Sequence, residues 1–381
     1  MTRTAFGCLL FFVATALGAT AQELRFLYPA PPPGTITVSK DVLYGADGDT
    51  RLMMDVYRPA NAASARVPAL VFFNRAYGPQ RGNAFYAGWA QAAASKGLVG
   101  IVPDLRSDLQ SKDFQVLVAH LQARAADYGI DRDALAVYAG SGNVYQAFQV
   151  VEDPGQTVVK AAVMYYGTSN VTTFRLDLPV LYVRAGLDRP DVNRGIGETA
   201  ALAVLQNAPL TLLNHPTGHH AFEVFDDDAA TREIIDRTLD FVKRATAAPY
   251  QAAIRQALPE ARAAGHVLSG NHRQAAASYA ELVAASPDDH RLRLAYGEAL
   301  LGDAQYATAC SEFEKLKGKG LGPRDLGLPA ARACVQKGDA DVAMRWLQSI
   351  PQRFLPANVA KDPVFAALQG RADFKALFQP Q

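Results

Sequence analysis

Cysteine is scarce in this chain, with three in 381 residues. One of them, Cys8, lies in the apolar N-terminal stretch, which leaves Cys310 and Cys334, too few for a framework of several bridges. An excess of charge of one sign is also missing. Lys and Arg number 38 against 37 Asp and Glu, the net charge is +1, and no Lys/Arg run stands out. Such a balance offers no footing for nucleic acid or for an anionic membrane surface. Beyond the N-terminus no run of about 18 apolar residues occurs, so no stable membrane span is expected in the mature chain. What is plentiful is apolar residues in general, 49% of the chain, ample for a sizeable core. The length exceeds one typical domain and suffices for two.

The first residues read as an export signal. Arg3 supplies a positive start, residues 6–17 are an apolar stretch too short to span a bilayer, and Ala19-Thr20-Ala21 fits the small-residue cleavage rule. The expectation is a signal peptide over 1–21, a mature chain beginning at Gln22, and a periplasmic or secreted location. The alternative is an uncleaved anchor. No lipobox-like residues surround Cys8. In an exported protein Cys310 and Cys334 can join, or stay as two buried thiols, and spacing does not decide between them.

Two textures divide the remainder, at 22–247 and 248–381. In the first, short apolar runs at 69–73, 99–103, 135–138, 161–166, 180–183 and 210–213 alternate with amphipathic stretches such as 85–96, 112–128, 144–151 and 231–244. Continuous apolar runs of this kind suit parallel strands buried on both faces. The alternation predicts an α/β fold with a mostly parallel, doubly wound sheet. Residues 36–42 and 52–57 flank Gly45-Ala-Asp-Gly-Asp49 and read as an antiparallel hairpin at the sheet edge.

After Pro249 β-branched residues thin out and a period of 34 appears. It links Ala275, Ala309 and Ala343; Tyr279, Phe313 and Leu347; Leu282, Leu316 and Ile350; and Ala263, Gly297 and Ala331. Thirty-four residues is the length of the tetratricopeptide unit, two helices and a turn. The reading is an all-α helical-repeat domain over 248–381, with an ordinary helical bundle as the alternative. Gly270, Gly302 and Gly338 read as the turns inside the units. Gly302 is displaced by two residues, so a longer turn is expected in the second unit. The tail around Asp362-Pro-Val-Phe365 and Phe374–Phe378 reads as a capping helix pair.

The chemistry concentrates in the first half. The run Leu135-Ala-Val-Tyr-Ala-Gly-Ser-Gly-Asn143 puts one hydroxyl, that of Ser141, on a small-residue turn between a strand and a helix. That is the layout of a nucleophile elbow, G-x-S-x-G, with Ala139 and Asn143 in place of the outer glycines. The bland alternative is a plain Gly/Ser turn. Elbows favour residues without a large Cβ substituent, so Asn143 is the expected point of conflict. Downstream, Asp188 follows the strand at 178–183 and suits a residue that orients a histidine, although such an Asp can equally serve a turn, and Asp191 is a rival. His215, His219 and His220 then cluster after the strand at 210–213. A loop histidine there can fold back over the serine as its base. A metal site of His215 and His219 with residues 226–228 is a weaker reading, because the pair lies in a Pro/Gly loop and not on one helical face.

With these residues in view, the chain resembles α/β-hydrolases of the dienelactone-hydrolase and esterase-like kind over about residues 41–244. The resemblance rests on Asp55-Val-Tyr-Arg-Pro59, Gly97-Leu-Val-Gly-Ile-Val-Pro-Asp-Leu-Arg106, Tyr128-Gly-Ile-Asp131, the Ser141 and Asp188 turns, and His220-Ala-Phe222. It implies Ser141 as nucleophile, His220 as base with His219 as the alternative, and Asp188 as the third member. It also implies an oxyanion hole from the backbone of Gly142 and of Arg75 or Ala76 in the loop Phe73-Asn-Arg-Ala-Tyr-Gly78, which lacks that family's His-Gly pattern. The substrate class implied is a small ester, with no metal or organic cofactor. A second class of function stays open. The first domain can be an impaired scaffold, with the repeats binding a protein or peptide partner.

Overall fold

The computed structural model describes residues 26–61, 66–74 and 80–379. The expected signal peptide over 1–21 lies outside the described residues. Eight strands form a single sheet: β1 (Ile36–Asp47), β2 (Thr50–Pro59), β3 (Val67–Phe72), β4 (Val99–Pro103), β5 (Ile130–Gly140), β6 (Val159–Tyr165), β7 (Val180–Ala185) and β8 (Leu210–His215). Their order is β1-β2-β4-β3-β5-β6-β7-β8. The six strands from β4 to β8 across the sheet run parallel, and β2 is antiparallel to both of its neighbours. The edge hairpin of β1 and β2 turns at Gly48, whose φ of 59° favours glycine.

The helices of this half are α1 (Ala84–Ser95), α2 (Gln110–Ala123), α3 (Val144–Val151), α4 (Pro190–Leu205), the single turn α5 (Phe222–Phe225) and α6 (Ala229–Thr246). They cover both faces of the sheet, which is why the inner strands read as unbroken apolar runs. Along β3, Ala69 and Val71 join the core beneath α2, α3 and α4, while Leu70 and Phe72 join the core beneath α1 and α6. Gly100 on β4 lets α1 lie close, since a Cβ there would stand 2.8 Å from the Cα of Ala90. Helix α6 starts on the Asp228 carboxylate, which accepts from the Thr231 N–H at 2.7 Å, and ends with Lys243 and Arg244 in its last turn. The result is the α/β-hydrolase arrangement: a mostly parallel sheet between two helical layers, followed by a helical region.

That region comprises α7 (Ala248–Leu268), α8 (His272–Ala285), α9 (His290–Gly302), α10 (Tyr306–Glu314), α11 (Pro323–Gln336), α12 (Ala340–Ser349) and the short α13 (Ala372–Ala376). Consecutive helices from α7 to α12 pack on one another. Every column of the 34-residue period points inward. Ala263, Ala275, Ala309, Ala331 and Ala343 are buried, as are Tyr279, Phe313, Leu347, Leu316 and Ile350. Leu282 packs against the same core. At Gly297 a Cβ would lie 2.5 Å from the Phe313 ring. Cys310 on α10 and Cys334 on α11 form a disulfide, with Cα atoms 4.9 Å apart.

Two expectations about this region are corrected. Gly302 is not the turn residue of the second unit; it is the last residue of α9, where a Cβ would come within 2.5 Å of the His272 imidazole. The turn falls at Ala304, with φ of 57°, in step with Gly270 at 72° and Gly338 at 95°. All three turns carry the same pair of bonds, for example Ala304 N–H to Leu301 O at 3.1 Å and Gln305 N–H to Leu300 O at 2.9 Å. The second turn is therefore no longer than the others. The tail does carry a pair of short helices at the expected place, one 3₁₀ (Pro363–Leu368) and one α (α13). It consists of 3₁₀ turns at Gln352–Phe354, Ala357–Lys361 and Pro363–Leu368, then α13, with Phe365, Leu368 and Phe374 buried.

Helix α7 also touches the sheet half. Asn207 Nδ2 donates to Ala261 O at 3.0 Å, Ser269 Oγ to Leu205 O at 2.9 Å, and Gln251 Nε2 to Lys160 O at 2.9 Å.

Candidate active site

Parallel strands end at one edge of the sheet, and open α/β sheets place their sites outside that edge. Ser141 follows β5 directly and begins a three-residue 3₁₀ turn that runs into α3. Its φ of 55° lies in the left-handed region, a strained position for a serine. The turn is crowded: a Cβ on Gly167 would come within 2.2 Å of the Ser141 carbonyl oxygen. Asn143, by contrast, has φ of −78° and ψ of −21°, ordinary helical geometry. The conflict expected there is absent, and the strain falls on the serine itself. The Asn143 amide donates to the Tyr86 hydroxyl at 3.3 Å. Burial pushes the Tyr86 phenol up to about 12.

The structure brings Ser141, His220 and Asp188 together. Ser141 Oγ lies 2.8 Å from His220 Nε2, and His220 Nδ1 lies 2.7 Å from Asp188 Oδ2. The Asp188 side chain is 3% exposed, against 42% for His220. The other carboxylate oxygen of Asp188 accepts the Arg189 N–H at 2.7 Å. The two loops that carry these residues are locked together. Gly186 N–H donates to His215 O at 2.7 Å and Leu187 N–H to Gly218 O at 2.9 Å. A Cβ on Gly186 would stand 2.2 Å from the Pro216 carbonyl oxygen, so only glycine fits. Asp191, the sequence rival of Asp188, is exposed and pairs with Arg189.

The three clustered histidines separate. His219 turns away from Ser141 onto Asp226, which its Nδ1 meets at 2.9 Å while its backbone N–H donates to the same carboxylate at 2.7 Å. His215 is fully buried, its Nε2 at 3.2 Å from Thr231 Oγ1. The chain turns at His220 and Ala221, and the two adjacent histidines find different carboxylates. Among the described residues no group of three or more His, Cys, Asp and Glu side chains is arranged to hold a metal ion. Ala221 has φ of 60°, where glycine would be at ease.

Of the oxyanion-hole candidates, Gly142 is the residue after the serine on the exposed side of the turn. Arg75 and Ala76 lie outside the described residues, and the described residues on either side are firmly held. Asn74 is buried, its amide donating to Pro103 O at 2.6 Å, and its backbone carbonyl accepts from Gln110 Nε2 at 2.8 Å. On the far side the backbone N–H groups of Gln80 and Arg81 donate to Asp104 Oδ1 at 2.7 and 3.2 Å, and Arg81 Nε meets Asp104 Oδ2 at 2.5 Å.

Sequence reading missed Tyr166 and Glu223. Tyr166, just past β6, packs its ring 4.7 Å from that of His220 and donates its hydroxyl to Glu223 at 2.6 Å. No motif marks either residue; only the meeting of β6 with the histidine loop does.

No protein-family model matches the chain, and no curated protein matches it. Among solved structures, similarity extends to an esterase from Rhizomucor miehei, at 13% identity over 57% of this chain and 85% of the other, with a TM-score of 0.48. A bacterial heroin esterase shows 14% identity, coverage of 56% and 86%, and a TM-score of 0.47. An esterase from Pyrobaculum calidifontis shows 16%, 57% and 87%, and 0.47. What the site can do follows from its own geometry.

Proposed function

We propose that this protein is an exported serine hydrolase that cleaves small carboxylic esters, of the dienelactone-hydrolase and esterase-like kind. One observation carries the reading: the continuous relay from Ser141 Oγ through His220 to the buried Asp188, with 2.8 and 2.7 Å contacts. In this reading Ser141 Oγ attacks the ester carbonyl carbon and passes its proton to His220 Nε2. Asp188 holds the Nδ1–H tautomer and stabilises the imidazolium that forms. The backbone N–H of Gly142, with one from Arg75 or Ala76, holds the developing oxyanion. Collapse expels the alcohol, which takes the proton from His220. Water, deprotonated by the same imidazole, then releases the acid and frees Ser141.

Export over 1–21 is part of the proposal, supported by the leader pattern and by the Cys310–Cys334 bridge, a bond at home in oxidising compartments. The helical units are proposed as a tetratricopeptide-like array that binds a protein or peptide partner or a second copy. The experiment is fluorophosphonate labelling of the chain from Gln22 onward, beside hydrolysis of short p-nitrophenyl esters. Labelling of the native protein should vanish in Ser141→Ala, and turnover should fall by at least about 10³-fold. A native protein that neither labels nor turns over these esters refutes the hydrolase reading.

A further inference from the structure

Beneath the His220 loop lies a carboxylate for which ester cleavage has no use. Glu223 has no exposed surface. One of its oxygens, Oε1, accepts two phenol hydroxyls, from Tyr138 at 2.9 Å and from Tyr166 at 2.6 Å. Its backbone carbonyl accepts the Leu27 N–H at 2.7 Å. Burial raises the Glu223 carboxyl above its usual range and holds the two phenols far above theirs, so both tyrosines remain donors. A buried acid is costly, and an apolar residue of similar volume would fill this space more cheaply.

The two tyrosines join parts of the fold that must keep register for the relay to form. Tyr138 is on β5, the strand that leads directly into Ser141. Tyr166 directly follows β6 with φ of 33°, a conformation a bulky side chain holds only when its surroundings impose it. Its ring is tilted 57° to the His220 imidazole with centroids 4.7 Å apart. Glu223 itself follows His220 by three residues. One carboxylate oxygen thus ties the nucleophile strand, the aromatic platform beside the imidazole, and the loop that carries the imidazole.

We propose that Glu223 is a positioning residue: by clamping Tyr166 it fixes the plane of His220, so that Nε2 meets Ser141 while Nδ1 meets Asp188. This rests on the reading of Ser141 as nucleophile. The variants are Glu223→Gln and Tyr166→Phe, with Tyr165→Phe as the control. Tyr165 loses a comparable buried bond, to Thr238 at 2.6 Å, but is not the ring against His220. Both test variants should lower kcat on p-nitrophenyl acetate by about 10- to 100-fold with KM within about twofold, and Tyr165→Phe should leave kcat within about twofold. The ring-proton chemical shifts of His220, read by NMR, should move in the two test variants and stay in the control. Equal kcat losses in Tyr165→Phe and Tyr166→Phe overturn the proposal, as does an unchanged kcat in Glu223→Gln. Should Glu223→Gln fail to fold, Tyr166→Phe decides alone. If the native protein turns over no ester, the hydrolase reading fails separately, and unmoved His220 shifts in Tyr166→Phe still overturn the positioning role.

Discussion

Substituting glycine for Ala304 should make the helical region harder to unfold, although glycine is the weaker choice inside a helix. Ala304 holds φ of 57° in the turn between α9 and α10. The left-handed conformation costs an L-residue about 1–2 kcal/mol, and glycine is spared that cost. Against it stands the extra freedom of glycine in the unfolded chain, about 0.4–1 kcal/mol. The Ala304 side chain is exposed, so no apolar burial is lost. The balance is a stabilisation of about 0.5–1 kcal/mol, or about 1–4 °C in Tm for a unit of this size. Two residues earlier the sign reverses. Helix propensity alone favours Gly302→Ala by about 1 kcal/mol. The new Cβ, however, would stand 2.5 Å from His272 Nδ1 and 2.6 Å from its Cγ. Overpacking of that kind costs about 1–3 kcal/mol, so the variant should lose stability on balance. Urea unfolding, with hydrogen exchange read on α8 to α10, measures both. A loss of stability in Ala304→Gly, or a rise in Gly302→Ala, refutes the assignment of the turn to Ala304.

Two further outcomes follow from the sheet half. In Gly186→Ala the new methyl meets the Pro216 carbonyl at 2.2 Å, which pushes the Asp188 loop off the His220 loop. Displacement on the order of 1 Å should cost about 10²-fold in kcat/KM, and a variant with native kcat/KM on p-nitrophenyl acetate contradicts the account. Glu152 concerns pH. Burial raises its carboxyl from 4.5 to about 7 in the folded protein, with the Arg175 N–H bond opposing. Between those values the folded protein holds a proton that the unfolded chain has lost, so the contribution to stability is full below about 4.5 and declines as pH rises to about 7. Glu152→Gln should leave Tm near that of the native protein at about pH 5 and add on the order of 2 kcal/mol of stability at about pH 8. A Tm gap that stays constant across this range rules the explanation out.

Much of the fold is legible in the sequence because burial on both faces leaves a plain mark. The runs at 69–73, 99–103 and 180–183 are apolar throughout, and β3, β4 and β7 fall on them. Helix α3 matches 144–151, bounded by the small-residue turn before it. Part of the site is legible for a related reason. Ser141, Asp188 and His220 each follow a strand of one parallel sheet, and the ends of such strands share an edge. The period of 34 is legible because paired helices demand small residues at fixed intervals, and the alanine columns are all buried.

The rest depends on contacts between distant segments. The φ of Ala304 is imposed by how α9 and α10 pack, so a search for glycine finds Gly302, whose smallness serves His272. Asn143 differs from the elbow pattern yet sits in helical geometry, while the strain falls on Ser141. Adjacent histidines look alike in sequence, and only the fold gives His219 to Asp226 and His220 to Asp188. Likewise only the fold joins Cys310 to Cys334, since spacing carries no Cβ geometry. Tyr138, Tyr166 and Glu223 lie 28 and 57 residues apart along the chain (166 − 138 and 223 − 166), and one carboxylate oxygen joins them. Local pattern and burial set the elements and the edge of the sheet where the chemistry gathers. Which side chains meet there is decided in three dimensions, because hydrogen bonds and packing act across distances in sequence that no local pattern spans.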